Sequence, residues 1–521
     1  MKVLLLNPSY PFEESPTPPF GLMSLGAYLL ERGIEVRIED YIITPYSIEA
    51  IKNSIGSFNP DVVGATGVTM NINNALRLLK DCKSINPDVI TAIGGPHVTF
   101  DSDKILHENI YVDYIIRGEG ELTFTELLEK IDSKSSVDNI KGISYRKGDR
   151  IINNESRPFI EDINVLPFPA RNLIQLNKYK ALGFPINMVT SRGCPFECIF
   201  CVGSRMMGRK VRYFKVDRVV DEFEQLASLG FNQINIVDDL FTSNKERCIA
   251  ICNEIIDRKI KHSWNAFARV NTVSKDLLEK LKEAGCNLIC FGIESGNQNI
   301  LNTIKKKITL EQVHNAINLC NDVGIEPMCS YIMGLPGENK ETAKNTYNFA
   351  KELNTNYGFH ILSPFPGSEV REKKDEYGIR ILTDDWDKYD ANQAVSETDG
   401  ISHNEINKMV NDFNTGIDLA VEKILEQSKK GKPIPEDIAN YIEGKKKQHF
   451  IKDILIKQIV ETYSGLGNGA GINEVINDFI DYIKIKTNYS KKEIRCYLME
   501  LFSHNCLRIE EKMSNTVITW T

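Results

Sequence analysis

The chain of 521 residues is 42% hydrophobic and 26% charged, with a formal net charge of −8. This length suits about three domains, the composition is that of an ordinary soluble globular protein, and the acidic balance argues against a general nucleic-acid binder, which carries a basic footprint. No apolar run reaches the roughly 18 residues a membrane-spanning helix needs; with no signal peptide at the start, the twelve cysteines fit a reducing cytoplasm rather than a disulfide framework.

Residues 1–131 alternate short apolar runs with helical patterns, which predicts an α/β fold with a parallel, doubly wound, Rossmann-like sheet. Strands are expected at Lys2–Asn7, Glu35–Glu39, Val62–Thr66, Val89–Gly94 and Tyr114–Arg117. Helices are expected near Gly21–Glu31, Ile48–Ser54, Asn73–Ser84, Ser102–His107 and Leu122–Lys130. In such sheets ligands bind beyond the carboxyl ends of the strands. There the chain sets Gly67 and Thr69, then Gly94-Gly95-Pro96-His97, then Gly118-Glu119-Gly120-Glu121, and glycine lets backbone approach a ligand closely. The plainer reading is that these glycines only make tight strand-to-helix turns. His97 reads equally as a cofactor-edge residue and as a hydrogen-bonded loop histidine.

Residues 132–185 read as a connector, with a hairpin formed by Lys141–Tyr145 and Arg150–Asn153, a break at Leu166-Pro167-Phe168-Pro169 and a short helix at Arg171–Asn177. From 186 to 368 the alternation returns. Strands are expected at Ile186–Ser191, Gln233–Val237, Ser263–Arg269, Leu288–Ile293, Met328–Met333 and Tyr357–Leu362. Six such units suit a partial (βα)6 barrel and are too few for the closed eightfold one.

Directly after the first of these strands stands Ser191-Arg192-Gly193-Cys194-Pro195-Phe196-Glu197-Cys198-Ile199-Phe200-Cys201. Three thiolates on one short loop can hold three irons of a [4Fe–4S] cluster, leaving one iron open. A zinc site and three unrelated buried cysteines are the alternatives; structural zinc wants four closed ligands, and no second pair follows at finger spacing. Cys248 with Cys252, and Cys286 with Cys290, read as buried small side chains rather than a second cluster. Later strand ends carry Asp238-Asp239, Arg269, Glu294-Ser295-Gly296 and Gly334-Leu335-Pro336-Gly337-Glu338. This set suits a zwitterionic nucleoside cofactor: carboxylates for an ammonium and ribose hydroxyls, a cation for a carboxylate, bare backbone beside a base. For Arg269 and the Asp238-Asp239 pair, barrel-mouth salt bridges are the competing reading.

Residues 369–449 are expected to cap the barrel, with Trp386 and Tyr389 near the cap, a helix at Glu405–Glu426 and a basic linker over Lys429-Lys430-Gly431-Lys432-Pro433-Ile434-Pro435. Residues 450–521 read as helix Ile451–Thr462, a glycine-rich turn, helices Ile472–Thr487 and Lys491–Asn505, and a β-wing at Cys506–Trp520. That order describes a mainly helical, winged-helix-like domain. It serves substrate recruitment or, equally, as a lid or dimerisation unit.

The Cys-x3-Cys-x-aromatic-Cys loop after a strand, with Phe200 as the aromatic, resembles the signature of radical S-adenosylmethionine (SAM) enzymes. The resemblance implies a cluster on Cys194, Cys198 and Cys201 whose open iron chelates the amino and carboxylate groups of SAM's methionine. Cleavage of SAM to a 5′-deoxyadenosyl radical follows in that family. It also implies that Glu294 and Ser295 contact the methionine or ribose and that Gly334 and Gly337 lie along the adenine. The strand ends Gly94–His97 and Gly118–Glu121 resemble those of the cobalamin-binding domain in the cobalamin-dependent branch of the family. The Asp-x-His-x-x-Gly loop of cobalamin mutases is absent, so His97 is not assigned to cobalt.

The expected function is therefore cobalamin-dependent radical SAM methyl transfer to an unactivated carbon. Cofactors are the [4Fe–4S] cluster, SAM and cobalamin, and the expected partners are a low-potential electron donor and a substrate, slightly favoured to be a peptide or protein. Oxidative cyclisation or rearrangement of a small molecule is the alternative with the same cofactors; a cofactor-bearing sensor is the alternative from another class. No side-chain pattern names the substrate.

Overall fold

In the computed structural model, which describes residues 1–10, 16–429, 433–467, 469–512 and 515–521, the chain opens with a seven-stranded sheet. Strands β1 (Lys2–Asn7), β2 (Glu35–Asp40), β3 (Val62–Thr66), β4 (Ile90–Gly94) and β5 (Tyr114–Ile116) run parallel in the order β2-β1-β3-β4-β5. Val3, Leu4, Leu5 and Leu6 of β1 are buried because helices cover both faces of a parallel sheet, which is why this strand reads as an unbroken apolar run. Strand order reverses between β1 and β3, the point where such sheets open a crevice at their carboxyl ends.

Strands β6 (Ile143–Lys147) and β7 (Arg150–Asn153) extend this sheet antiparallel, through the pairing of Ile116 with Ile143. The hairpin expected in the connector thus forms the edge of the first sheet. Local alternation reveals a hairpin, but not which strand it will pair with.

The second sheet holds β8 (Ile186–Met188), β9 (Ile234–Ile236), β10 (Trp264–Ala268), β11 (Cys286–Glu294), β12 (Glu326–Met333) and β13 (Asn356–Ile361), all parallel and adjacent in chain order. This is the open six-stranded barrel the sequence predicts. Its helices show their origin locally: Leu310–Val323 starts at a Thr309–Gln312 capping box and buries Val313, Ala316, Ile317 and Cys320 on one stripe. It stops at Gly324, whose φ of 75° suits glycine at a helix end.

One apolar core runs from one face of the first sheet through the barrel to the C-terminal residues, and a second covers the other face of the first sheet. Trp386 and Tyr389 belong to the second, with the Trp386 ring edge-on to His97 at 4.8 Å. They also meet Arg371, beyond the last barrel strand, whose guanidinium lies 4.8 Å from the Trp386 ring centre and 3.2 Å from the Tyr389 hydroxyl.

Helix Glu436–Ile456 takes the place of the expected Ile451–Thr462, and helices Ile472–Lys486 and Lys491–Ser503 follow. Leu466–Gly467, Leu507–Lys512 and Asn515–Trp520 form an antiparallel three-stranded wing. The expected linker residues Lys430, Gly431 and Lys432 lie outside the described residues. The unit docks on helix Leu176–Ala181, where Lys178 Nζ meets Glu461 at 2.7 Å and Asn177 Nδ2 donates to the Thr521 carbonyl at 2.6 Å. No helix among the described residues is long and apolar enough to cross a membrane.

Candidate active site

The cysteine loop leaves β8 through a turn that only glycine fits. Gly193 has φ of 103°, and a Cβ there would stand 2.8 Å from the Lys210 carbonyl oxygen and 2.9 Å from that of Gly208. Asp239 accepts from the Gly193 amide at 3.0 Å, and the Cys194 amide donates to Gly208 at 3.1 Å. Deeper in the loop, Ile199 donates to Ile304 at 3.2 Å and accepts from Val370 at 3.0 Å, so the loop is pinned from both sides.

The donor set suits a cluster. Cys194, Cys198 and Cys201 are all free thiols; the Gly203 amide donates to Cys201 Sγ at 3.3 Å, and Arg269 Nη1 lies 3.7 Å from Cys198 Sγ. Such donors tune cluster sulfurs. Burial raises the thiol of Cys194 and pushes that of Cys201 up to about 11, so iron binding must displace protons. Among the described residues no three His, Cys, Asp or Glu side chains converge on a single ion.

At the root of the loop lies a charge network that joins the two sheets. Arg192 donates to Glu119 at 2.8 Å and to Glu121 at 2.7 Å, both from the strand end after β5. Glu119 also takes Arg212 at 2.8 Å and the Ile160 amide at 2.8 Å, and Glu121 takes the Ser24 hydroxyl at 3.1 Å. Burial works against the Arg192 charge, yet Glu121 and Glu119 outweigh it and raise its pKa; Glu121 in turn is held below its ordinary value by Arg192 despite its burial.

At the barrel mouth, Lys306 Nζ pairs with Glu294 at 2.7 Å, with both side chains buried. The Lys306 carbonyl accepts from Arg269, whose guanidinium stacks 3.6 Å from the centre of the Phe196 ring. Glu294, Lys305 and Lys307 all carry left-handed backbone, with φ of 71°, 55° and 53°. Strain of this kind collects where a site over-determines the chain. The next strand end holds Gly334 and Gly337, with φ of 85° and 81°, and Glu338, which accepts from the Gly334 amide through one carboxylate oxygen while the other is buried without a partner.

Between the sheets lies a cavity of ≈ 320 Å³. Thr66, Gly94, Gly95, Gly118 and Glu119 border it from the first domain, and Ser191, Arg192, Met206 and Asp239 from the barrel. It brings the strand ends of both domains onto one space.

Several expected site residues have protein partners of their own. The Asp238 carboxylate accepts from the amide and hydroxyl of both Thr190 and Ser191, so it braces the chain before the cysteine loop. Ser295 bonds Thr346 and the Asn297 amide. Gly67, Thr69 and His97 lie outside the cavity lining: Gly67 makes the close turn against Gly95, and the Thr69 hydroxyl sits 3.2 Å from His97 Nδ1. Burial, with Arg371 and Lys104 nearby, lowers the His97 pKa to about 4, so the ring is neutral. Sequence reasoning missed Arg192, Arg212 and Lys306. Arg192 could have been found beside Gly193-Cys194; Lys306 is hidden in a run of three lysines.

Comparison with known proteins agrees with this arrangement. The family model "Radical SAM superfamily" matches residues 188–350, and "B12 binding domain" matches residues 14–128. An uncharacterized methyltransferase of Pyrococcus horikoshii is 36% identical, over 79% of this chain and 91% of its own. The anaerobic magnesium-protoporphyrin IX monomethyl ester cyclase of Rubrivivax gelatinosus is 30% identical, over 78% of this chain and 75% of its own. The fold is shared with the cobalamin-dependent SAM radical enzyme OxsB (TM-score 0.68, 18% identity, 96% of this chain and 83% of that one). It is also shared with the radical SAM methyltransferase TsrM of Kitasatospora setae (TM-score 0.65, 20% identity, 74% and 77%). The chain belongs to the radical SAM enzymes that carry a B12-binding domain, a family whose cofactors are a [4Fe–4S] cluster, SAM and cobalamin.

Two outcomes follow from the geometry. Glu119→Gln removes the carboxylate shared by Arg192 and Arg212 and should cost about 3–5 kcal/mol, as breaking buried ion pairs does, read by chemical denaturation; Glu155→Gln, at an exposed pair, should stay within about 0.5 kcal/mol. Burial pushes the Glu338 carboxyl up to about 8 from its ordinary 4.5, so the native chain keeps a proton the unfolded chain releases. Its contribution to stability therefore falls as pH climbs through that window and is level above it. Glu338→Gln should remove the fall, gaining on wild type by up to about 1.4 kcal/mol per pH unit in denaturation series across pH.

Proposed function

We propose that this enzyme transfers a methyl group, supplied by SAM and carried on cobalamin, to an unactivated carbon of its substrate. The observation that carries this reading is the shared cavity, on which the strand ends of the B12-binding domain and the root of the cysteine loop both open. Methyl transfer by radical chemistry needs both cofactors to face one space; separate crevices would serve neither.

Cys194, Cys198 and Cys201 would hold the cluster. Glu294 and Lys306 present an anion and a cation side by side at the barrel mouth, a pair matched to the ammonium and carboxylate of SAM's methionine. Gly334 and Gly337 leave bare backbone for the adenine; Gly94, Gly95 and Gly118 do the same for cobalamin. Arg269 keeps the cysteine loop in place by its contacts with Phe196, Cys198 and the Lys306 carbonyl. When bound, the cluster supplies the electron that cleaves SAM, and the corrin carries the methyl group. The half-exposed loop thiols go with a reducing, cytoplasmic and anaerobic setting.

The cyclase relative marks the competing outcome, oxidative cyclisation on the same cofactors. Anaerobically reconstituted enzyme, given methyl-deuterated SAM and extract from a deletion strain, should yield 5′-deoxyadenosine and a product bearing the labelled methyl group by mass spectrometry. An unlabelled product altered only in hydrogen or oxygen would replace methyl transfer with cyclisation. Cys194→Ala, Cys198→Ala and Cys201→Ala should each lose cluster iron and SAM cleavage, whereas Cys82→Ala and Cys496→Ala should keep both.

The finer reading assigns substrate recruitment, of a peptide or protein, to residues 450–521. Its support is a helical face of Val475, Ile476, Phe479, Ile480 and Ile483 in a unit attached to the side of the connector rather than within the cavity lining. Deletion of residues 433–521 should spare uncoupled SAM cleavage and weaken turnover of the natural substrate at least about tenfold, the loss of roughly 1.4 kcal/mol of binding. Equal turnover by the shortened enzyme would dismiss the reading.

A further inference from the structure

We propose that the outer face of the cysteine loop is the docking surface for a small acidic protein that delivers single electrons; this rests on the cluster reading above. The sequence around the loop is one-sided in charge. From Cys198 to Val216 the chain carries Arg205, Arg209, Lys210, Arg212 and Lys215 and no carboxylate, and Lys305-Lys306-Lys307 adds a second basic run. On a chain of net charge −8 this is a local reversal of sign.

Folding brings the two runs to one place. Glu197, inside the loop, pairs with Arg209 and lies 3.5 Å from Lys307 Nζ, and those two cations stay 66% and 61% exposed. On the other side of the loop the Val370 amide donates to the Ile199 carbonyl at 3.0 Å. That bond sets Glu369 and Glu372 beside the loop, where Lys305 and Arg205 pair with them. Lys210 is exposed next to Arg209. Five cations thus surround the loop against three carboxylates, and none of the five borders the cavity. Arg212 and Lys306 are buried and engaged inward. Exposed pairs hold a fold together only weakly, so the excess charge is available to a partner.

The same face offers a short way in. The Cys194 amide donates to the Gly208 carbonyl at 3.1 Å, and a Cβ on Gly193 would stand 2.8 Å from the Lys210 carbonyl oxygen. The backbone of residues 208–210 therefore lies directly against a cluster-holding cysteine, and Cys201 is itself exposed. Phe159, 39% exposed, covers Gly208 with its ring; Glu161 and Asp162, exposed just beyond it, mark the edge of the basic face. One exposed aromatic beside a charged collar suits a small, transient interface, as electron-transfer encounters are. Charge complementarity sets the rate and the choice of partner in such encounters, which selects an acidic carrier. At contact the carrier loses one electron and the cluster gains it, with no bond or proton exchanged.

The test uses anaerobically reconstituted full-length enzyme with an acidic flavodoxin as the probe, and dithionite as a reductant that needs no docking surface. Wild type should bind oxidised flavodoxin in calorimetric titration. Both that binding and flavodoxin-driven cluster reduction, followed by the visible spectrum, should weaken as salt rises. Arg209→Glu combined with Lys210→Glu should lower both by about tenfold or more. Iron content and dithionite-driven formation of 5′-deoxyadenosine should stay those of wild type. Lys52→Glu, exposed on helix Ile48–Phe58 of the first domain, should change nothing. Unaltered flavodoxin binding and reduction in the double variant would overturn the surface. So would salt-independent reduction of wild type, which decides alone should the double variant not fold. A wild-type dimer broken by the same substitutions would overturn it too, giving the face to a second copy of the chain. Failure of wild type to take up iron or to cleave SAM with either reductant would instead remove the cluster reading on which the proposal stands.

Discussion

Arg192 is buried between two carboxylates that belong to a different domain, and the site is arranged around that fact. Taking three charges out of water is tolerable only where geometry and further hydrogen bonds satisfy each of them. Here Arg212, Ser24 and the Ile160 amide complete the set. Because Arg192 stands two residues before Cys194, the network that holds the domains together also sets the start of the cluster loop. The strand end that borders the cavity and the cysteine loop are therefore positioned by one group of charges.

The barrel mouth repeats this economy on a smaller scale. Glu294 and Lys306 are twelve residues apart yet meet in the interior, over Gly292, where a Cβ would collide with the Glu294 carboxylate. Left-handed backbone at Glu294, Lys305 and Lys307 is the cost of bringing them there, about 1–2 kcal/mol at each residue. The cavity lining beside the Arg192 network is largely apolar, with Leu5, Leu22, Leu25, Ile93, Ile116 and Phe124 among its residues.

Much of the fold was legible because each element announces itself over a short stretch. The buried run of β1, the capping box at Thr309 and the helix stripe of Leu310–Val323 are all patterns within at most 14 residues of chain. Less legible were residues whose type suits two jobs. Asp238 and Ser295 are plausible cofactor ligands by chemistry, and in the structure they bond Thr190, Ser191 and Thr346. His97 is neutral in a pocket closed by Trp386, nearly three hundred residues later in the chain.

The sequence by itself determined that three thiols share one loop, since the eight residues Cys194 to Cys201 stay together however the rest of the chain folds. It likewise determined the parallel sheets, whose apolar runs and turns are local. Only the tertiary structure decided which charges are paired and which glycines border the cavity. Glu119 meets Arg192 across 73 residues and Lys178 meets Glu461 across 283. Contacts of that span are set by how whole domains dock, through burial summed over many side chains, and no short stretch of sequence carries that sum.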